Sequence, residues 1–160
     1  SDPTSGIRIK GAPLSLATYV KFKDDDRPGS LHLGEPLRPG DRIQFRIGTT
    51  RPGHLAIIGV DDAGQISLYH PAAGMAAPVA AGQDQPLPAA VELDATLGTE
   101  AIIGVLCDAP TPTAAITRAA EQAAAAARAN GRTPSSLGVL DLPCAEARTT
   151  VRKVAAGTPP

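Results

Sequence analysis

Short segments in which apolar and polar residues alternate, each followed by a turn rich in Gly or Pro, constrain the fold of this chain most. In "RIQFRIG", Ile43, Phe45 and Ile47 alternate with polar residues, as in a strand that is buried on one face. "HLAIIGV" and "QISLYH" follow and are separated by "DDAG". No helical crossover separates these segments. We therefore predict that they are consecutive antiparallel strands, because parallel strands need long crossover connections.

Comparable segments precede and follow this central run. In "LSLATYVKF", the residues Leu14, Leu16, Thr18, Val20 and Phe22 lie on one face of an alternating pattern. Later come "AAVELDA", "EAIIGVLC" and "ARTTVRKVA", with turn residues between them. The series predicts a mainly β protein, an antiparallel β-sandwich of about seven strands that is immunoglobulin-like or a partly open barrel.

The "DDAG" turn predicts a tight hairpin. We place residues 62–64 in its loop, with Gly64 in the left-handed conformation of a bulge. This register puts His54 and His70 on one face, as diagonal neighbours at the open end of the hairpin. The same alternation defines a predicted core, which consists of Ile43, Phe45, Ile47, Ile58, Val60, Ile66 and Leu68.

One helix is expected, within "PTPTAAITRAAEQAAAAARANG" and before the last strand. Thr111 is the predicted cap, Pro112 is the first helical residue, and Asn130 with Gly131 supplies a left-handed stop. The apolar stripe is almost wholly alanine, so it buries little area although it allows a close approach to a sheet. Its members are Ile116, Ala119, Ala120, Ala123, Ala124 and Ala127.

The chain length limits the number of domains, and the net charge limits the classes of partner. A chain of 160 residues fits one domain, which we expect over residues 6–155, with flexible termini at 1–5 and 156–160. Sixteen acidic against fifteen basic residues give a net charge of -1, which does not suit a phosphate backbone or an anionic membrane surface. The apolar runs are shorter than the ~20 residues of a membrane-spanning helix. We therefore expect no nucleic-acid partner and no direct membrane insertion by this segment.

The histidines are weak candidates for a metal or catalytic site. A zinc site needs three or four ligands, and no Cys, Asp or Glu lies at chelating spacing near His54 or His70. We interpret both as strand-end residues with satisfied hydrogen bonds. Asp24, Asp25 and Asp26 lack the ligand alternation and the closing Glu of a calcium loop, so we interpret them as turn residues. No metal and no cofactor is predicted.

Familiar catalytic motifs are missing from the sequence. It contains no G-x-S-x-G, H-E-x-x-H, Walker A or G-x-G-x-x-G pattern. Cys107, a histidine and Asp108 could form a thiol nucleophile with its base. However, Cys107 ends an apolar strand, where a packed or bridged sulfur is common. We expect no enzymatic activity, and a small cysteine- or histidine-dependent hydrolase or peptidase-like enzyme is the alternative.

The order of these motifs resembles a bacterial, notably myxobacterial, domain of unknown function that is attached to zinc-finger anti-sigma-like segments, Ser/Thr kinases or caspase-like proteins and occurs in ActD-like proteins. "LRPGDRIQFRIG", "GVDDAGQISLYHP" and "GTEAIIGVLCDAP" correspond to its turn and strand-end motifs, within residues 7 to about 110. The matching residues are Leu37, Gly40, Asp41, Gly53, Asp61, Gly64, Pro71, Gly98, Glu100, Asp108 and Pro110. Most of them are turn or strand-edge residues, so the resemblance implies a fold more than an activity and carries no catalytic residues.

The resemblance also implies a location. Membrane-anchored members would place the domain outside the cytoplasmic membrane, in the periplasm or cell envelope, with the anchor elsewhere in the parent protein. The chain opens on "SDPTSG" without an initiator Met, and we interpret it as part of a longer or processed protein. The resulting hypothesis is a non-enzymatic sensing or protein-interaction domain of a bacterial regulatory or envelope protein. A structural envelope protein is a further alternative.

The two cysteines bear on the same question. If the compartment is oxidising, as the resemblance implies, Cys107 and Cys144 are expected to form a disulfide that closes the helical segment back onto the sheet. Closure of a loop of that size would contribute roughly 4 kcal/mol in the loop-entropy description, less any strain. Two separate buried thiols in a cytoplasmic protein are the competing possibility.

Overall fold

Two antiparallel β-sheets that stack face to face form the centre of the protein. The computed structural model describes residues 12–157. This range contains nine strands and one α-helix, with a short 3₁₀ turn at Pro134–Ser136 after the helix. The strands are β1 (Leu14–Lys21), β2 (Ser30–Leu31), β3 (Arg42–Thr49), β4 (Gly53–Asp61), β5 (Ile66–His70), β6 (Ala77–Val79), β7 (Gly82–Glu92), β8 (Gly98–Cys107) and β9 (Cys144–Lys153), and the helix is α1 (Thr113–Ala129).

The strands divide into a four-stranded and a five-stranded sheet. The four-stranded sheet has the order β2-β1-β3-β7, and the five-stranded sheet has the order β5-β4-β8-β9, with β6 paired to the start of β4. The predicted fold class is confirmed, because the protein is mainly β and its two antiparallel sheets form a sandwich with one helix before the last strand. The prediction missed β2 and β6, which have only two and three residues and thus no readable alternation.

The predicted termini fall partly outside the described range. The expected flexible segment at residues 1–5 and the "IRIKG" segment at residues 7–11 both lie there, as do residues 158–160.

The facing surfaces of the two sheets enclose the first part of the core. Ile43, Phe45 and Ile47 of β3 lie here, and each is at most 1% exposed. They pack with apolar residues of both sheets, namely Leu14, Val20, Leu37, Leu55, Ile57, Leu87, Leu93, Ile102, Leu106 and Val151. The alternation of "RIQFRIG" therefore reports burial on one face, as predicted.

The helix α1 covers the opposite face of the five-stranded sheet. Ile58 and Val60 are fully buried in this second part of the core, and Ile66 and Leu68 are partly buried against it. The predicted stripe of α1 faces them, with Ala123 partly buried and with Ile116, Ala119, Ala120, Ala124 and Ala127 buried. The central strands β4 and β8 are thus covered on both faces. This explains why "LAIIGV" and "AIIGVL" are apolar almost without interruption.

"RIQFRIG" and "HLAIIGV" are consecutive strands of antiparallel sheets, as predicted, but they do not pair with each other. β3 lies between β1 and β7 in the four-stranded sheet, whereas β4 lies in the five-stranded sheet. The outward face of β3 carries Arg42, Gln44 and Arg46, which could not lie beneath α1 without burying charged groups. β4 has no polar face of this kind, so it suits the layer that is covered on both sides.

The helix begins at Thr113 rather than at Pro112. Pro112 occupies the capping position without a side-chain hydrogen bond. Thr111 does not cap the helix, because its hydroxyl donates to the carbonyl of Ala109, whereas the Thr113 hydroxyl donates to that of Gly74. The predicted stop is confirmed, since the helix ends at a cap on Asn130 and Gly131 has a φ of +74°.

Enlarging a side chain beneath α1 tests the close helix packing. We expect Ala120→Leu to lower the free energy of unfolding by about 1–3 kcal/mol, because the added methylenes have no space between α1 and the sheet. Ala125 is exposed on the same helix, so Ala125→Leu should change the stability by less than about 0.5 kcal/mol. Urea denaturation measures both variants, and equal destabilisation would contradict the packing.

Candidate functional site

The sulfur atoms of Cys107 and Cys144 are bonded to each other, as predicted. Cys107 ends β8 and lies directly opposite Cys144 at the start of β9, with the two Cα atoms 4.4 Å apart. The two residues are separated by 37 positions, a segment that contains α1. The neighbouring Asp108 accepts a hydrogen bond from Nε of Arg51 at 2.9 Å. Cys107 therefore offers no free thiol, and the arrangement of Cys107, a histidine and Asp108 as a nucleophile is not assembled.

His54 and His70 are not the diagonal neighbours that a simple hairpin register predicts. The ladder between β4 and β5 contains a bulge, so that His70 lies opposite Ile57. β6 takes the place beside the start of β4, and His54 lies between Pro78 and Cys107. Burial lowers the pKa of His70. Among the described residues, no group of three His, Cys, Asp or Glu side chains could hold a metal ion.

The "LRPGD" segment, which carries part of the resemblance, joins the two sheets. Leu37 is fully buried, and its N–H and carbonyl both bond to the backbone at the end of β9. The Asp41 carboxylate accepts hydrogen bonds from the N–H groups of Lys23 and Arg38, each at 2.8 Å. Leu37 thus fills space in the core, and the Asp41 carboxylate satisfies nearby backbone N–H groups. Both residues are therefore engaged in structural contacts.

The turn between β4 and β5 is organised by a second carboxylate. Asp61 accepts hydrogen bonds from the N–H groups of Ala63 at 3.0 Å and Gln65 at 2.9 Å. Gly64 has a φ of +87°, the left-handed conformation that the sequence predicts for it. Asp61 therefore shapes the hairpin and is itself buried.

A buried polar cluster, which we did not predict from the sequence, lies beside the core between the sheets. The Tyr69 hydroxyl donates a hydrogen bond to Glu100 Oε2. The Lys153 ammonium lies 3.6 Å from Glu100 Oε1 and donates to Asp94. Glu100 and Lys153 are each 3% exposed. Gly59 provides the space, because a Cβ atom at that position would collide with Glu100 Oε2.

The electrostatics of this cluster follow from its burial. Burial raises the pKa of the Glu100 carboxyl, although the Tyr69 hydrogen bond and the Lys153 charge act in the opposite direction. Burial and the hydrogen bond to Glu100 raise the pKa of Tyr69. The hydrogen bond from Lys153 lowers the pKa of Asp94, whose side chain reaches solvent. Since Glu100 and Lys153 have almost no exposed surface for a substrate, we interpret the cluster as a structural connection between β5, β8 and β9.

The outer face of the four-stranded sheet differs from the other sheet surfaces, because none of the described elements packs over it. A cleft of about 400 Å³ lies on this face. The residues of β1 and β3 that line it include Tyr19, Lys21, Arg42, Gln44 and Arg46. The Arg46 guanidinium lies over the Tyr19 ring, with Cζ 4.3 Å from the ring centroid. We call this site the basic cleft.

Residues 36–110 match the family model of a domain of unknown function, DUF4384. The matched segment contains β3 to β8, whereas β1, α1 and β9 lie outside it. No curated protein and no solved structure matches the chain. The expected resemblance to a domain of unknown function is thus confirmed for this segment. The bacterial source and the attached domains stay predictions.

The disulfide can be tested by mass spectrometry. We expect denatured, unreduced protein to take up no alkylating agent, and reduced protein to take up two groups. Removing the bridge with Cys107→Ala and Cys144→Ala together should lower the free energy of unfolding by about 2–4 kcal/mol, because the unfolded chain then gains freedom. Two alkylated thiols in the unreduced sample would contradict the structure.

The raised pKa of Glu100 predicts a pH dependence of stability. A carboxyl whose pKa is higher in the folded than in the unfolded protein binds its proton more tightly in the folded state, so it contributes stability at low pH that is lost as the pH rises through the folded pKa. Glu100→Gln removes this contribution. The stability of the variant relative to the wild type should therefore fall as the pH is lowered from 7 towards the ordinary carboxyl pKa of 4.5.

Denaturant unfolding of both proteins across this pH range measures the difference between their free energies of unfolding. Carboxyl groups that titrate alike in the two proteins contribute equally to both and cancel in this difference. Glu121→Gln on the exposed side of α1 is the matched control, because it removes one carboxyl group away from the buried cluster. If the stability of Glu100→Gln relative to the wild type stays constant or rises on acidification, the folded protein does not favour the protonated Glu100 carboxyl.

Proposed function

We propose that this chain is a non-enzymatic domain that binds another protein, and that it belongs to an extracytoplasmic part of a bacterial regulatory or envelope protein. The observation that carries the proposal is the uncovered outer face of the four-stranded sheet with its basic cleft. Within residues 12–157, the five-stranded sheet has no comparable surface, because the four-stranded sheet and α1 cover its two faces. A sandwich with one free, partly polar sheet face suits a surface that recognises a partner.

The potentially reactive side chains take part in structural contacts or lie apart from each other, which supports a binding role over a catalytic one. Cys107 and Cys144 are bonded to each other, Asp61 is occupied by turn hydrogen bonds, and His54 and His70 lie beside different neighbouring strands. A hydrolase that uses Cys107 or a histidine would need a nucleophile within hydrogen-bond reach of a base. The described contacts of these five residues provide no such pair.

The disulfide supports the proposed location. Disulfides persist in oxidising compartments such as the periplasm and the cell surface, and they are rare in a reducing cytosol. Among the described residues, no helix is long and apolar enough to cross a bilayer. We propose that the parent protein holds the domain at the envelope through an anchor in another part of its chain.

Site-specific photo-crosslinking in the full-length protein tests the binding role. A photoreactive amino acid in place of Ala17, which lies opposite Arg46 on the free sheet face, should form a covalent adduct with one recurring protein. The matched control places the same amino acid at Ala125 on the exposed side of α1, where no adduct is expected. The absence of an adduct at Ala17, or the same adducts at both positions, would contradict the proposal.

The location is tested in the same cells. Protease added to spheroplasts should degrade the domain while a cytoplasmic marker protein stays intact. Protection of the domain until the cells are lysed would place it in the cytoplasm and refute that part of the proposal.

A further inference from the structure

We infer that the basic cleft binds the carboxylate of an acidic side chain presented by a partner protein. The inference rests on the proposed binding function and adds the chemistry of the ligand. The residues that line the cleft include three cations, Lys21, Arg42 and Arg46, and no carboxylate.

Two of these cations are placed unfavourably for the isolated domain. Lys21 of β1 and Arg42 of β3 are directly opposite each other in the antiparallel ladder. Like charges in such a pair are destabilising. Lys21 is held by the carbonyl oxygens of Asp25 and Arg27, at 3.0 and 2.7 Å. A carboxylate bound between the two cations would remove their repulsion, so the arrangement favours an anionic ligand.

Arg42 is available for such a ligand. Its side chain has no hydrogen bond or ion pair to any of the described residues, although Glu92 lies opposite it on β7. Arg42 is also exposed, so a partner can reach it without a rearrangement of the core.

Contacts within the domain hold the Arg46 side chain in place, but one of its hydrogen-bond donors has no acceptor. It lies over Tyr19, and its Nη1 is 3.2 Å from both carboxylate oxygens of Asp84. Its Nε is buried and has no hydrogen-bond partner among the described residues. An unpaired buried donor is unfavourable, and a guanidinium binds carboxylates best through two parallel N–H groups. Arg46 therefore lacks an acceptor on the edge that carries Nε.

The surroundings favour one carboxylate within a protein segment over an extended polyanion. Asp84 and Glu92 on β7 flank the cleft and would repel a nucleic acid or an anionic bilayer. On the other side, Leu31 of β2 lies opposite Tyr19 and is 43% exposed. An Asp or Glu side chain next to apolar residues would pair with the cations and cover Leu31. A volume of about 400 Å³ accommodates such a group.

Backbone and side-chain NMR of the ¹⁵N-labelled chain tests the inference. The probe is the blocked peptide acetyl-Leu-Glu-Leu-amide, and acetyl-Leu-Gln-Leu-amide is its uncharged match. We expect the Glu peptide to cause saturable shifts at Tyr19, Gln44 and Arg46 that weaken with added salt, and to bind at least about fivefold more tightly than the Gln peptide. Equal shifts from both peptides, shifts elsewhere on the surface, or no shifts would overturn the inference.

Arg42→Gln is the decisive variant, because Arg42 has no described contacts that the fold depends on. It should weaken binding of the Glu peptide by about fivefold and leave the remaining spectrum unchanged, whereas Arg118→Gln on the exposed side of α1 should have no effect. Unchanged binding by Arg42→Gln would overturn the inference. Inorganic phosphate forms a further arm, and tighter binding of phosphate than of the Glu peptide would also overturn it.

These results are distinguishable from a failure of the proposed function. If crosslinking at Ala17 captures a recurring protein while the Glu and Gln peptides behave alike, the free sheet face binds a partner through other chemistry. If no partner is captured at Ala17, the binding role itself is wrong.

Discussion

Both faces of the five-stranded sheet have to be shielded from water, and the rest of the architecture depends on this requirement. The central strands β4 and β8 are apolar on each side, so they need two covering layers. The four-stranded sheet provides one layer through Ile43, Phe45 and Ile47, and α1 provides the other. With α1 on the far side, the outer face of the four-stranded sheet is the one that the described elements leave uncovered. The basic cleft is exposed for this reason.

The helix is the weaker of the two covering layers, and covalent and polar contacts compensate for this. Its alanines bury little area each, so packing alone stabilises it modestly. The bridge between Cys107 and Cys144 joins the two ends of the segment that contains α1 to adjacent strands. In the last turn, Arg128 donates a hydrogen bond at 2.7 Å to the carbonyl of Ala63 in the hairpin loop. A disulfide in this place is compatible with an oxidising compartment, where such bonds are retained.

The charged residues form two groups with different consequences. Glu100 and Lys153 are buried beside Tyr69, where removal of one member would leave an uncompensated charge. Their position makes them part of the stability of the sandwich and of its pH dependence. Arg42 and Arg46 lie on the free sheet face, where a ligand can reach the exposed Arg42 without disturbing the core. In our proposal, stability and recognition are therefore carried by separate sets of charges.

The sequence by itself determined the features that depend on neighbouring residues. These are the strand alternation, the left-handed turn at Gly64, the helix stop at Gly131 and the β class, because turn and cap conformations are set within a few positions. The motifs that resemble the domain of unknown function implied an oxidising compartment, and the disulfide between Cys107 and Cys144 was predicted correctly on that basis. Only the tertiary structure decided that β3 and β4 enter different sheets, that a bulge separates the histidines, and that Tyr69, Glu100 and Lys153 meet. Glu100 and Lys153 were visible as charges within strand segments, but their partners were not. Alternation shows that one face of a strand is buried, whereas the layer that buries it depends on contacts between distant parts of the chain.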